Sequence, residues 1–258
     1  MSSDLFHLQA VLAVALFVGV RVSGILVFAP FVGGTAIPMS VKAGLAVAIT
    51  ALLYPAYSPV GAFPSPFQMA ANIISEFTVG LLLGLTLQFV LDAAQLAGQV
   101  LGVQMGFSLV NIIDPQTQVD TPVLSIFHEL VTLFLFLQLN VHHWLLRGLA
   151  RSFTYLPVGA LIPNLASTGL LLQSAGGLFL VGVQVAGPAL VATFLADIML
   201  GFLGKASPNL PVLFLGLSVK SVLGLIVLIG SVAAWPGILE KHFAEAIVLG
   251  ERLLHLAR

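Results

Sequence analysis

Cysteine is absent from the 258 residues, so disulfides, thiolate metal sites and cysteine nucleophiles are excluded. Charge is nearly absent as well. Asp, Glu, Lys and Arg make up 7% of the chain, against about 25% in an ordinary soluble domain. Nine basic and ten acidic side chains cannot keep the surface of such a chain wetted. With 59% hydrophobic residues and a mean hydropathy of +1.11, the surroundings must be lipid or other apolar protein, which excludes a soluble globular enzyme. The net charge of −1, without basic clusters, argues against nucleic acid as a partner. The positive start of a secretory leader is missing too. Met1–His7 holds Asp4 and no Lys or Arg, and Arg21 follows the first apolar run, so this segment is expected to be retained and spanning.

Six apolar stretches are present, at about 5–32, 41–57, 67–110, 123–146, 166–203 and 210–236. A spanning helix needs about 20 residues. The first, fourth and sixth stretches suit one such helix each, and the second is short and holds Lys42. The third and fifth are too long. As one helix, 67–110 would reach about 66 Å, roughly twice a hydrocarbon core. Such segments must bend, protrude or break; Gly187–Pro188 is a plausible break in the fifth, while nothing obvious interrupts the third. The connections are distinctive. Pro55, Pro59, Pro64 and Pro66 punctuate an uncharged loop, 111–122 is polar and acidic, 147–163 carries Arg147 and Arg151, and Ser207–Pro211 forms a tight hairpin tip. Basic residues divide between both sides, so orientation stays open. The expected fold class is all-α, polytopic, made of membrane-type helical hairpins with long bent helices.

Arg21, Glu76, Asp92, Glu129, Asp197 and Lys220 lie within the apolar stretches. A charge at a span centre costs about 2.5–3.5 kcal/mol, so these six should face protein, water or one another. Pairing between helices is the first reading; an ion relay and contacts to other subunits are the alternatives. In the third stretch Gln88, Asp92, Gln95 and Gln99 recur at i, i+4, i+7 and i+11, forming one polar stripe. Ala94, Gly98, Gly102 and Gly106 repeat every four residues on a neighbouring face, and Gly80 and Gly84 add another small pair. Small residues at this spacing let helix backbones approach closely, within this chain or against another.

Several motifs begin and fail. His128-Glu129-Leu130-Val131-Thr132 has Thr where a zinc-binding helix needs its second His. Gly106-Phe107-Ser108-Leu109-Val110 lacks the closing Gly of a nucleophile elbow. His142 and His143 are adjacent and point about 100° apart on a helix, which suits hydrogen bonding rather than chelation. No catalytic constellation, cofactor cradle or metal set is found, so no enzyme is expected.

The run Gln95–Gly106 (QLAGQVLGVQMG), followed by Phe107-Ser108 and Asp114-Pro115, resembles the bacterial flagellar export family FliR. Arg21-Val22-Ser23-Gly24, Ile37-Pro38, Val41-Lys42, Glu76 with Gly80–Gly84, Pro122-Val123-Leu124, Phe153–Gly159, Pro208-Asn209-Leu210 and Lys220 are similar to other parts of that family, over about residues 15–235. Departures are Pro211, Leu217-Ser218, and Leu109, Ile112 and Ile113 where aromatics are common.

The resemblance implies a subunit of the flagellar type III export gate, which helps form and close a channel for unfolded flagellar proteins. It implies a FliP-like part over about 1–160 and a FliQ-like hairpin with a C-terminal tail over about 161–258. FliP-like and FliQ-like subunits would complete a hetero-oligomeric ring, with FlhB-like and FlhA-like export components and unfolded substrates as further partners. The location implied is the bacterial inner membrane at the flagellar basal body, with the gate raised toward the periplasm. A plug loop would run over 105–122 and include Met105, Phe107, Leu109, Ile112, Ile113, Asp114 and Pro115. Helix packing and subunit contact would fall to Arg21, Glu76, Gln88, Asp92, Gln95, Gly98, Gln99, Gly102, Gly106 and Lys220. The alternatives are the homologous injectisome subunit and, more remotely, a stand-alone ion-coupled transporter.

Overall fold

Helices and closed barrels are the backbone forms that satisfy every amide in apolar surroundings, and this chain takes the first. A computed structural model describes residues 2–34, 37–57, 65–107, 122–159, 166–207, 209 and 211–256, the side chains of 2–8, 166–175, 178, 212–214, 254 and 256 excepted. Among the described residues there is no strand. The helices are α1 (Ser2–Phe28), α2 (Met39–Leu53), α3 (Pro66–Gln104), α4 (Val123–Gln138), α5 (Val141–Tyr155), α6 (Ala166–Ala206), α7 (Val212–Ser231) and α8 (Trp235–Leu256). Short 3-10 turns at Tyr54–Ala56 and Val232–Ala234 extend α2 and join α7 to α8. Five helical stretches are long and apolar enough to cross a membrane, or six if α4 and α5 count as one bent span. The chain is thus an all-α membrane-type protein.

The third stretch is one helix of 39 residues, about 58 Å long. The fifth is also one helix, Ala166–Ala206, and Pro188 lies inside it rather than breaking it. Proline removes the amide that would bond the carbonyl of Gln184. Helices in apolar surroundings tolerate this where local geometry adjusts, and the space beside Gly187 is open. The fourth stretch, expected as one span, is two helices with a break at residues 139–140. Asn140 turns the chain with φ 57, a left-handed conformation that asparagine tolerates better than most residues. Residues 147–155, expected as part of a connection, belong to α5. Its buried positions Val141, Leu145, Gly148, Leu149, Ser152 and Phe153 share one helical face, which leaves Arg147 and Arg151 exposed. Beyond 236, where the last apolar stretch was expected to end, α8 continues to Leu256. Trp235, Leu239, Phe243, Ala246, Gly250 and Leu253 form its buried stripe.

The chain divides into two compact units: 1–89 with 140–174 and 243–258, and 90–139 with 175–242. Each draws on residues from both sides of position 160. In the first unit, α1 crosses the start of α3 backbone to backbone. A Cβ on Gly80 would collide with the carbonyl oxygen of Arg21 and lie 2.9 Å from the amide of Ile25; one on Gly84 would lie 2.8 Å from the Ile25 carbonyl oxygen. Phe17, Val18, Val22, Ile25, Val79, Leu82, Leu83 and Leu87 close around this crossing. In the second unit, a Cβ on Gly98 of α3 would lie 2.5 Å from the Leu124 carbonyl oxygen and the Ser125 Cα of α4. Ala93, Ala94, Ala97, Leu101, Leu124, Val185, Ala186 and Ala189 are buried in this unit. The outward faces remain apolar, and α2 has no buried residue at all.

Gly80→Ala should lower stability by about 1–3 kcal/mol or more, because the colliding atoms are backbone and cannot turn aside. Gly44→Ala, in open space on α2, should be neutral or stabilising by about 0.5–1 kcal/mol through helix propensity. Thermal unfolding of both variants in detergent checks the pair, and equal midpoints would refute the crossing.

Candidate functional site

Arg21 is 1% exposed and Glu76 fully buried, and the two side chains form an ion pair. Taking such ions out of water costs roughly several kcal/mol each unless their hydrogen-bonding capacity is met in place. Here it is met. Arg21 Nε donates to Glu76 Oε2 at 2.5 Å, one terminal nitrogen donates to Ser152 Oγ at 3.0 Å, and the other donates to the Leu156 carbonyl at 3.0 Å. The Gly159 amide donates to Glu76 Oε1 at 2.8 Å. The Phe153 ring lies 4.0 Å from the guanidinium carbon, a cation–π contact, and Tyr57 stacks against Phe153 at 4.4 Å. Tyr57 donates to the Ala150 carbonyl, and burial raises its phenol above the usual range against the opposing pull of Arg21, so it stays protonated. One guanidinium therefore joins α1, α3, α5 and the turn after α5. The sequence marked Arg21 and Glu76 as charges in need of partners but gave no role to Ser152, Phe153, Leu156 or Gly159. Their signal was weak, because three of these contacts use main-chain atoms or a ring face.

In the second unit Lys220 Nζ lies 2.8 Å from Asp197 Oδ2, and Gln104 Nε2 donates to the same oxygen at 3.0 Å. Gln104, outside the four-residue amide stripe, is thus an amide that bridges helices. Within the stripe, Gln88, Asp92 and Gln95 are half-buried and Gln99 is exposed; Gln88 and Asp92 both interact with other residues. Of the small-residue face, Gly98 packs inside this chain against α4, and Gly102 is buried. Gly106 falls beyond the last helical residue. With φ 84 it ends α3 in a Schellman turn, in which the Gly106 amide bonds the Val103 carbonyl and the Phe107 amide bonds the Gly102 carbonyl.

Of the loop 105–122, Met105 and Phe107 are described. Met105 is fully buried, its sulfur and methyl group fill the space left by Gly224, and its carbonyl accepts from Ser221 Oγ at 2.7 Å. Phe107 is partly exposed. Leu109, Ile112, Ile113, Asp114 and Pro115 lie outside the described residues. Glu129 is exposed on α4 and pairs with none of the described residues. One buried group was missed. Ser125, His128 and Thr132 are all fully buried on one face of α4, with the His128 ring 4.8 Å from that of Trp235. Their i, i+3, i+7 spacing was available as a signal.

These features belong to a helical scaffold. Residues 12–246 match the family described as Bacterial export proteins, family 1. The chain belongs to this family. The flagellar biosynthetic protein FliR of Bacillus subtilis (strain 168) is 29% identical over 244 residues, covering 93% of this chain and 94% of that protein. FliR of Escherichia coli (strain K12) is 30% identical over 226 residues, covering 87% and 86%. FliR of Pectobacterium carotovorum subsp. carotovorum is 31% identical over 233 residues, covering 89% and 88%.

Within this FliR-like chain, Arg21→Met should destabilise by about 3–5 kcal/mol, since it strands a buried carboxylate. Glu76→Met should do the same to the guanidinium. The double replacement should cost well below the sum. Thermal unfolding of the three variants measures the coupling, and strictly additive losses would refute it.

Proposed function

We propose that this chain is a subunit of the flagellar type III protein export gate, helping to form and close the channel through which unfolded flagellar proteins are exported. The observation that carries this reading is likeness over nearly the whole length to proteins named for flagellar biosynthesis, in a family of export proteins. The outward apolar faces support it. Helices of 39 and 41 residues exceed a hydrocarbon core, and much of their outer surface calls for other chains. FliP-like and FliQ-like subunits would supply that cover in a hetero-oligomeric ring, with a FliP-like part to about 160 and a FliQ-like hairpin beyond. FlhB-like and FlhA-like components would stand next to it. The chain serves as a structural transport component in the bacterial inner membrane at the flagellar basal body, the gate raised toward the periplasm.

The loop 105–122 serves in this reading as the plug. Apolar side chains close a narrow channel by excluding water, and Phe107, Leu109, Ile112 and Ile113 supply them, with Asp114-Pro115 stiffening the turn. A stand-alone ion-coupled transporter is less well supported, because Asp197 and Lys220 are engaged with each other.

Co-expression with FliP-like and FliQ-like chains should give one monodisperse complex, while the chain alone behaves poorly in detergent. A stable, well-behaved monomer across detergents would refute the reading. Deleting residues between Ser108 and Gln118 should leave assembly intact and raise dye uptake or membrane conductance at matched complex levels. Wild-type permeability with normal assembly would remove the plug role.

A further inference from the structure

Five of the six charges set within apolar stretches interact within the chain: Arg21 with Glu76, Asp197 with Lys220, and Asp92. Glu129 has no hydrogen bond or ion pair with the described residues. It stands in the middle of the 16-residue helix α4 and is exposed. Around it Val123, Ile126, Leu130, Phe134 and Leu137 are exposed as well, so the outer face is apolar except for this one carboxylate and the amide of Gln138 at the end of the helix. Nor can α4 roll to hide that group. Its opposite face is fixed by the backbone contact with Gly98, by the burial of Ser125, His128 and Thr132, and by Trp235, whose ring meets that of His128.

Hydrocarbon suits the five apolar side chains but strongly disfavours an ionised carboxylate among them. Water suits the carboxylate but not an apolar face of this extent. A second protein helix that is apolar over most of its length and offers one cation meets both demands. We propose that this face of α4 is a docking surface for an apolar helix of another export-gate subunit, whose lysine or arginine pairs with Glu129. The proposal rests on the reading of the chain as a gate subunit. Complementary charge then sets the rotation and register of a contact that apolar packing alone would leave loose.

The test is recovery of the co-expressed complex with FliP-like and FliQ-like chains. Glu129→Leu should reduce it by about tenfold or more, because the partner's cation loses its counter-charge, and Glu129→Lys should reduce it further. Glu129→Asp should keep most of it. The side chain is exposed, so chain abundance in the membrane should stay at the wild-type level in all three variants. In parallel, a photo-reactive residue in place of Leu130 should cross-link to another subunit. Wild-type recovery with Glu129→Leu would overturn the proposal, and so would adducts formed only with lipid or with a second copy of this chain. If the wild-type chain itself recovers no complex, the gate reading falls and this inference with it. If it does and the variants match it, this inference alone falls.

Discussion

A charged group withdrawn from water must find every hydrogen bond in the protein around it, and Arg21 imposes that demand on most of its unit. Its three nitrogens are used on three different segments, and Glu76 in turn is held by the amide of Gly159. Neither side chain could reach its place unless α1 and α3 touched backbone to backbone, which is what Gly80 and Gly84 permit. Nor could Ser152 and Phe153 present themselves unless α5 lay with its amphipathic face inward. The pair thus adds little net stabilisation by itself, since desolvation offsets much of the attraction. What it adds is specificity, because a helix rotated or slipped by one residue would leave a buried ion without partners.

The second unit answers the same constraint with less burial. Asp197 and Lys220 neutralise each other across α6 and α7, with Gln104 of α3 as a third participant. Around them the surface is apolar: Phe194, Met199, Phe202, Val222 and Ile226 all face outward. A soluble protein could not sustain such a surface, and a lone charge could not sit on it. Matching Arg21 with Glu76 and Asp197 with Lys220 inside the chain is what lets the outer faces stay apolar enough for lipid or for other subunits. Glu129, the exposed exception, stands out against that rule.

Much of this was legible in the sequence. The apolar runs located most helices because length alone marks them, and the need of Arg21 and Glu76 for partners followed from their burial in such runs. Where the reading failed, the reason was local. Asn140 breaks 123–146 through a left-handed backbone conformation that hydropathy does not register, and α8 escaped because its signal is a period rather than a run. Pro188 misled in the other direction, since a prolyl residue in apolar surroundings need not end a helix. Gly106 fitted a four-residue packing repeat by spacing, but its φ of 84 and two closing hydrogen bonds make it the residue that ends α3. The contacts that hold Arg21 were hardest to foresee, because main-chain donors and acceptors carry no residue signature.

The end of α3 shows how a rigid scaffold can deliver a loop. Met105 is fully buried, its side chain fills the space beside Gly224, and Ser221 holds its carbonyl. Gly106 then reverses the chain, and Phe107 is the first side chain to emerge. The burial of Met105 and the bond from Ser221 hold the end of α3 in place. In the plug reading, Met105 is therefore the anchor of the loop rather than part of its seal.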